Sequence, residues 1–156
     1  MHWCDEQSIL YMGLDSGIIH RFECPKEKNL LLMKELEEIT VHNTMQRVMG
    51  ISVDPRVNHL FSISESGYLI VTDLSKRSDN TGCKFISSRN LSATTGLKAM
   101  IHDFQRNLLF IADGSGSVFI LNSIPTEPEL IVAIQTDQKV CIRGLTRSVN
   151  TFDYWP

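Results

Sequence analysis

Three segments of this 156-residue chain repeat one another, and their spacing constrains the fold more than any other feature. LYMGLDSGIIHRFE begins at Leu10, LFSISESGYLIVTD at Leu60 and LFIADGSGSVFILN at Leu109. Each holds a short apolar run, a Ser-Gly pair and a second apolar run, and the glycines (Gly17, Gly67 and Gly116) stand 50 and 49 residues apart. One match at such a spacing arises easily by chance; two in succession and in register do not. A period of this size marks a supersecondary unit that cannot bury its own apolar faces and stacks on copies of itself.

Each unit reads as a β-hairpin. Runs such as Leu69-Ile70-Val71 and Val118-Phe119-Ile120-Leu121 suit a pleated surface packed on both sides. The turn between the runs needs a residue at positive φ, which glycine adopts without a Cβ clash, so Gly17, Gly67 and Gly116 are structural turns. Asp15, Ser16, Ser66, Asp113 and Ser115 offer side chains that bond turn amides. Seven residues before each leucine stands a matching position: Trp3, Val53 and His102. Around the last two, MGISVDP (Met49 to Pro55) and KAMIHDF (Lys98 to Phe104) read as inner strands. Lys84 to Arg89 and Leu130 to Gln135 supply outer ones. Lys26 to Thr40 carries helix formers at helical spacing, but its place in the repeat assigns it to an outer strand. The expectation is an all-β chain: an incomplete β-propeller of about three four-stranded antiparallel blades plus the start of another. The repeats cover residues 1–41, 42–91 and 92–136 of a single domain, and VCIRGLTRS from Val140 opens a further repeat within 137–156. Four units at this period would already exceed the chain, and propellers have four to eight blades. Either the chain is a piece of a longer one, or two copies form a homodimer that completes a ring.

Composition excludes several roles. A net charge of -3 supplies no clustered cationic surface for nucleic acid, so no direct nucleic-acid contact is expected. No apolar run approaches the roughly 20 residues of a membrane span. The first twenty residues lack the basic start and apolar middle of a secretory signal. Cys4, Cys24, Cys83 and Cys141 are widely spaced without a CxxC pair, which fits buried free thiols in a reducing cytosol. Asn90-Leu91-Ser92 therefore reads as an unused glycosylation pattern.

The units resemble the WD-repeat family. Blades of that family carry a Gly-His pair before the inner strand and end the third strand in Trp-Asp. Here the dipeptide positions hold Phe22-Glu23, Thr72-Asp73 and Leu121-Asn122, so only Asp73 keeps the acid and no tryptophan remains. His42, six residues before Val48, occupies the family's histidine position. Where the family has a turn aspartate, Ser16, Ser66 and Ser115 stand before the glycines. The resemblance implies that the family's buried His–hydroxyl–Asp–Trp network is absent and that apolar packing replaces it. MGLDSGIIHRFE and FIADGSGSVFILN are also similar to blades of proteins that join WD repeats to a phosphoinositide-binding FYVE finger. That similarity implies a cytoplasmic, endosome-associated scaffold whose partners are other proteins. The finger's eight zinc-binding cysteines are not in these residues. The alternative is a propeller subunit of an RNA-processing or chromatin assembly.

No catalytic, cofactor or metal site is expected. Asp113-Gly114-Ser115-Gly116 lacks the Lys-Ser/Thr and helix of a phosphate loop. His2, His20, His42, His59 and His102 show no metal-ligand spacing. His102-Asp103 lies on an inner strand and reads as a core or channel histidine. Ser75 to Gly82 reads as a solvated connection, and Tyr154 and Trp155 as a broken strand. The partner-binding rim is expected at the turns joining fourth to first and second to third strands, which points to His42, Asn43, Glu65 and Asp113.

Overall fold

The computed structural model describes residues 1–25, 33–42, 46–78, 82–92, 95–124 and 126–137, with Ile142, Gly144 and Leu145. These residues form three antiparallel sheets. The first holds β1 (His2–Cys4), β2 (Ile9–Gly13), β3 (Ile18–Glu23) and two short pieces on its outer side, β4 (Lys34–Glu35) and β5 (Ile39–Thr40). The second runs in order β6 (Val48–Asp54), β7 (His59–Ser64), β8 (Tyr68–Ser78) and β9 (Gly82–Asn90). The third runs β10 (Leu97–Asp103), β11 (Leu108–Asp113), β12 (Ser117–Asn122) and β13 (Glu129–Gln135).

The positions aligned by the repeat meet in space. Trp3 pairs with Leu10, Val53 with Leu60, and His102 with Leu109, each as direct cross-strand partners. Gly17, Gly67 and Gly116 have φ of 82°, 96° and 89°, the left-handed backbone the hairpin turns require. Their carbonyls also tie each hairpin to the next connection: Gly17 accepts from the Val41 and His42 amides, Gly67 from Leu91, and Gly116 from Thr136. A second left-handed position recurs in the turns between first and second strands, at Ser8, Asn58 and Asn107, all with φ of 54°. Asparagine tolerates this conformation better than most residues.

Between Lys26 and Thr40 the structure shows strand pairing (Phe22 with Glu35, Ile19 with Ile39), and residues 26–32 lie outside the described residues. The expected connection at Ser75 to Gly82 is instead largely strand. β8 continues to Ser78 and β9 starts at Gly82, with Arg77 opposite Cys83 after a register shift beyond Asp73. Arg77 and Ser78 have ladder partners, while the Ser75 amide donates to the Asp73 carboxylate at 2.8 Å, so a polar sequence does not keep this backbone out of the strand. Residues 79–81 lie outside the described residues. Cys4 is buried, Cys24 and Cys83 are half-buried, and Cys141 lies outside the described residues. So do most of VCIRGLTRS and the whole of Tyr154 and Trp155. Among the described residues no helix is long and apolar enough to cross a membrane.

Two apolar clusters hold the sheets together, and the second sheet belongs to both. Its Ile51, Val53 and Leu60 pack with Cys4, Tyr11, Ile19 and Ile39 of the first sheet. Its Phe61, Ile63, Leu69 and Val71 pack with Leu97, Leu109, Ile111 and Leu121 of the third. Strand alternation explains the division, since neighbouring residues point to opposite faces. Gly96 brings the third sheet close to the second. Its φ is 65°, and a Cβ there would lie 1.8 Å from the Glu65 carbonyl oxygen. Gly96→Ala is expected to cost about 2 kcal/mol or more, through left-handed strain plus backbone displacement. Gly144→Ala, whose Cβ would meet nothing within 4 Å among the described residues, serves as the control. Thermal unfolding of both variants checks this, and equal midpoints would contradict it.

Candidate functional site

The hairpin turns between second and third strands and the connections into the next sheet share one rim. Repeat positions place an acid in the turn, and a base stands at the start of the next sheet, Arg47 just before β6 and Lys98 on β10. Asp15 meets Arg47 at 2.8 Å, and Glu65 meets Lys98 at 3.1 Å. Each pair bridges two sheets, and most of these side chains are well exposed. Such exposed pairs add little stability, because water and salt screen them. Their charges therefore remain open to re-pairing.

The four rim residues expected from sequence separate on inspection. Glu65 is exposed and carries the ion pair with Lys98. Asn43 lies outside the described residues. His42 stands at the predicted connection, but only 2% of its surface is exposed and neither ring nitrogen has a hydrogen-bond partner among the described residues. Asp113 is buried as well, at 3% exposure, and organises the turn beneath the rim. It accepts from the Ser115 and Ser117 amides (2.8 Å each) and from the hydroxyls of Ser92 (3.1 Å), Thr95 (3.0 Å) and Ser115. Burial pushes its carboxyl up, but the Ser117 and Ser115 hydrogen bonds outweigh that and hold its pKa below the ordinary carboxylate value.

The third sheet thus holds a buried polar network of other membership than the family's, built on Asp113, Ser92, Thr95 and Ser115 without a histidine or tryptophan. Its acid comes from the end of β11, three residues before the turn glycine rather than next to it. In the second sheet the same repeat position is Ser64, whose Oγ accepts from the Tyr68 amide at 3.2 Å and meets Ser66 Oγ at 2.8 Å.

His102 is buried on β10. Its Nε2 lies 2.9 Å from Ser123 Oγ and its Nδ1 3.4 Å from Ser52 Oγ, while Phe61 and Phe104 pack against the ring. The neighbouring Asp103 carboxylate accepts from Arg106 at 2.9 Å and caps the turn amides of Gln105 and Arg106. His20 offers the one group of metal-type donors among the described residues. Its Nδ1 is 2.7 Å from Glu35 and its Nε2 3.1 Å from Glu38. The carboxylates bracket the ring from opposite nitrogens, whereas a metal takes one nitrogen. The arrangement works as a clamp holding the outer pieces of the first sheet onto β3.

Sequence reasoning missed a cavity of about 280 Å³ at the opposite ends of the strands. Trp3, Asp5, Glu6, Val53, Arg56 and Phe104 line it, and the Trp3 indole N–H donates to Asp5. The only sequence signal was the repeat position of Trp3, which falls at the first-strand site whose equivalent in the next sheet, Val53, is core.

Solved structures resemble this arrangement. A chain of the mitotic checkpoint complex superposes with a TM-score of 0.69 at 16% identity, over 91% of this chain and 39% of that one. Sqt1 from Saccharomyces cerevisiae gives 0.64 at 14% identity, over 90% of this chain and 35% of that one. A protein from Bacteroides fragilis described as a candidate 6-phosphogluconolactonase gives 0.69 at 11% identity, over 90% and 39%. The three sheets are blades of an incomplete β-propeller. At these identities the likeness extends to the fold alone, and the chain spans about two fifths of the length of these structures. No family model and no curated protein matches the sequence.

The buried histidines predict a pH response. Burial lowers the pKa of both His42 and His102 from 6.5 to about 4. As pH falls below 6.5 the unfolded chain takes up these protons while the folded chain does not. Their contribution is therefore intact above pH 6.5 and is lost progressively toward pH 4, at up to about 1.4 kcal/mol per pH unit for each ring. Denaturant unfolding from pH 7 to pH 4.5 should show this loss, reduced in His42→Gln. An unchanged slope in that variant would contradict the assignment.

Proposed function

We propose that the chain is a non-enzymatic protein-interaction module of the WD-repeat kind. The observation that carries this reading is the rim of exposed, alternating charge, Asp15 with Arg47 and Glu65 with Lys98, held in place by stiff sheets. Charges on such a frame steer and orient protein partners more than they stabilise the frame. The buried network under Asp113 supports the same reading, because it fixes the turn from below without using the rim side chains.

Protein partners fit a net charge of -3 better than phosphate backbones do. The resemblance to WD-repeat proteins with FYVE fingers extends the proposal to a cytoplasmic scaffold at endosomes, with phosphoinositide binding supplied outside these residues. Fold alone does not determine function, so the test lies at the rim.

Affinity capture with the wild-type chain and an Arg47→Glu, Glu65→Lys double variant examines this. Wild type should retain a defined set of proteins that the variant loses by about tenfold, equivalent to ~1.4 kcal/mol, with its thermal midpoint unchanged. The same set on both chains would contradict the rim assignment. A set that ribonuclease releases would contradict protein partners.

A further inference from the structure

The outer edge of the first sheet is built differently from those of the other two. The second and third sheets end in the continuous strands β9 and β13, whereas the first ends in the two-residue pieces β4 and β5. Glu23 pairs with Lys34 and Phe22 with Glu35 on one side of the break, Ile19 with Ile39 and Ile18 with Thr40 on the other. Between them Leu36, Glu37 and Glu38 stand opposite His20 and Arg21, three residues against two, and the ladder is interrupted. The Leu36 amide still donates to the Arg21 carbonyl at 2.8 Å.

Side chains take over where the ladder stops. Neighbouring strand residues point to opposite faces. His20 reaches Glu35 and Glu38 on one face. On the other, the Arg21 Nε donates to the Glu37 carbonyl at 3.0 Å, and the guanidinium lies 3.7 Å from the Glu37 carboxylate. Glu35, Glu37 and Glu38 fall within four residues and repel one another, and His20 and Arg21 are the cations set against them. Lys34 and Glu23 stand opposite each other at the far end. From β2, Met12 pairs with His20 and brings no charge, and Phe22 stacks on the ring with centroids 6.2 Å apart.

The geometry at His20 sets a protonation requirement. Its Nδ1 lies 2.7 Å from a Glu35 oxygen and its Nε2 3.1 Å from a Glu38 oxygen. A neutral imidazole has one N–H and one lone pair, while an ionised carboxylate only accepts. Both contacts are therefore attractive only for the doubly protonated ring. Removing one proton sets a lone pair against a carboxylate and leaves three glutamates facing Arg21 alone. The His20 side chain is 19% exposed and its two partners more than half, so the ring exchanges its proton with solvent.

We propose that His20 is a pH-sensitive latch on a strap formed by residues 34–38. Protonated, it holds the strap on β3; deprotonated, it lets the strap open about Ile39. That residue is 4% exposed in the core shared with the second sheet and stays in place. Lys34, Glu35, Glu37 and Glu38 are exposed and Leu36 is only half-buried, so little apolar burial opposes opening. The same stretch carries helix formers, and its strand pairing has no local preference to support it. Opening leaves the backbone of residues 21–23 on β3 unpaired, an edge that another strand can join. The latch stands apart from the rim and does not depend on the rim reading.

Hydrogen exchange of the Leu36 amide in the full chain, corrected for its intrinsic rate, tests this. Raising the pH from about 5.5 to about 8, across the ordinary histidine value, should lower its protection about fivefold. Amides of β7 should show no such fall, because the buried His42 and His102 weaken the fold in the opposite direction, toward acid. Glu38→Gln distinguishes a latch from a merely structural contact. Its carboxamide can donate to the unprotonated ring nitrogen, so protection at high pH should be kept and the step should disappear. His20→Gln, which has no titrating ring, should show no step either. Equal protection of Leu36 at both pH values in the wild type, or the same fall in both variants, would overturn the proposal.

Discussion

Everything in this chain depends on apolar packing between the faces of neighbouring blades. A single four-stranded sheet has two apolar faces and no interior, so it gains its stability from what covers it. The second blade is the only one of the three covered on both sides by the described residues. Ile51, Val53 and Leu60 turn one way, Phe61, Ile63, Leu69 and Val71 the other. Because both clusters include this blade, loss of its fold removes both at once, and the three blades are coupled through the middle one.

The polar groups are subordinate to that packing but set its geometry. Turn glycines at positive φ reverse the chain and lend their carbonyls to the following connection. Gly96 allows the third blade to approach until its backbone all but touches the Glu65 carbonyl. Asp113, Ser92 and Thr95 fill the space under the rim with satisfied hydrogen bonds. The exposed charges, paired as Asp15 with Arg47 and Glu65 with Lys98, take no part in that network. Structure and surface chemistry thus occupy different layers of the same turns.

Much of this was legible in the sequence, and the reason is periodicity. The match of Trp3, Val53 and His102 to leucines seven residues later anticipated the strand register, because a hairpin of fixed turn length fixes its cross-strand pairs. What one sequence could not reveal was the direction of individual side chains at the connections. His42 and Asp113 lie where a rim was expected, yet they point inward, since position along a repeat does not specify rotation in a loop. Asp113 was also discounted as a network acid because the family places that acid beside the glycine. Polar composition hid the strand ends around Ser75 to Gly82, where backbone pairing outweighs side-chain preference. The cavity beside Trp3 and Phe104 was invisible because it depends on turns from different blades.

Native-state hydrogen exchange tests the central claim most directly, that the blades are one cooperative unit joined through the second. Amides of β7, β8, β11 and β12 should share a single slow class set by global unfolding, while those of β4 and β5 exchange by local opening. If the amides of β7 and β8 exchanged as fast as those of β4 and β5, or if each blade showed its own opening energy, the account would be contradicted.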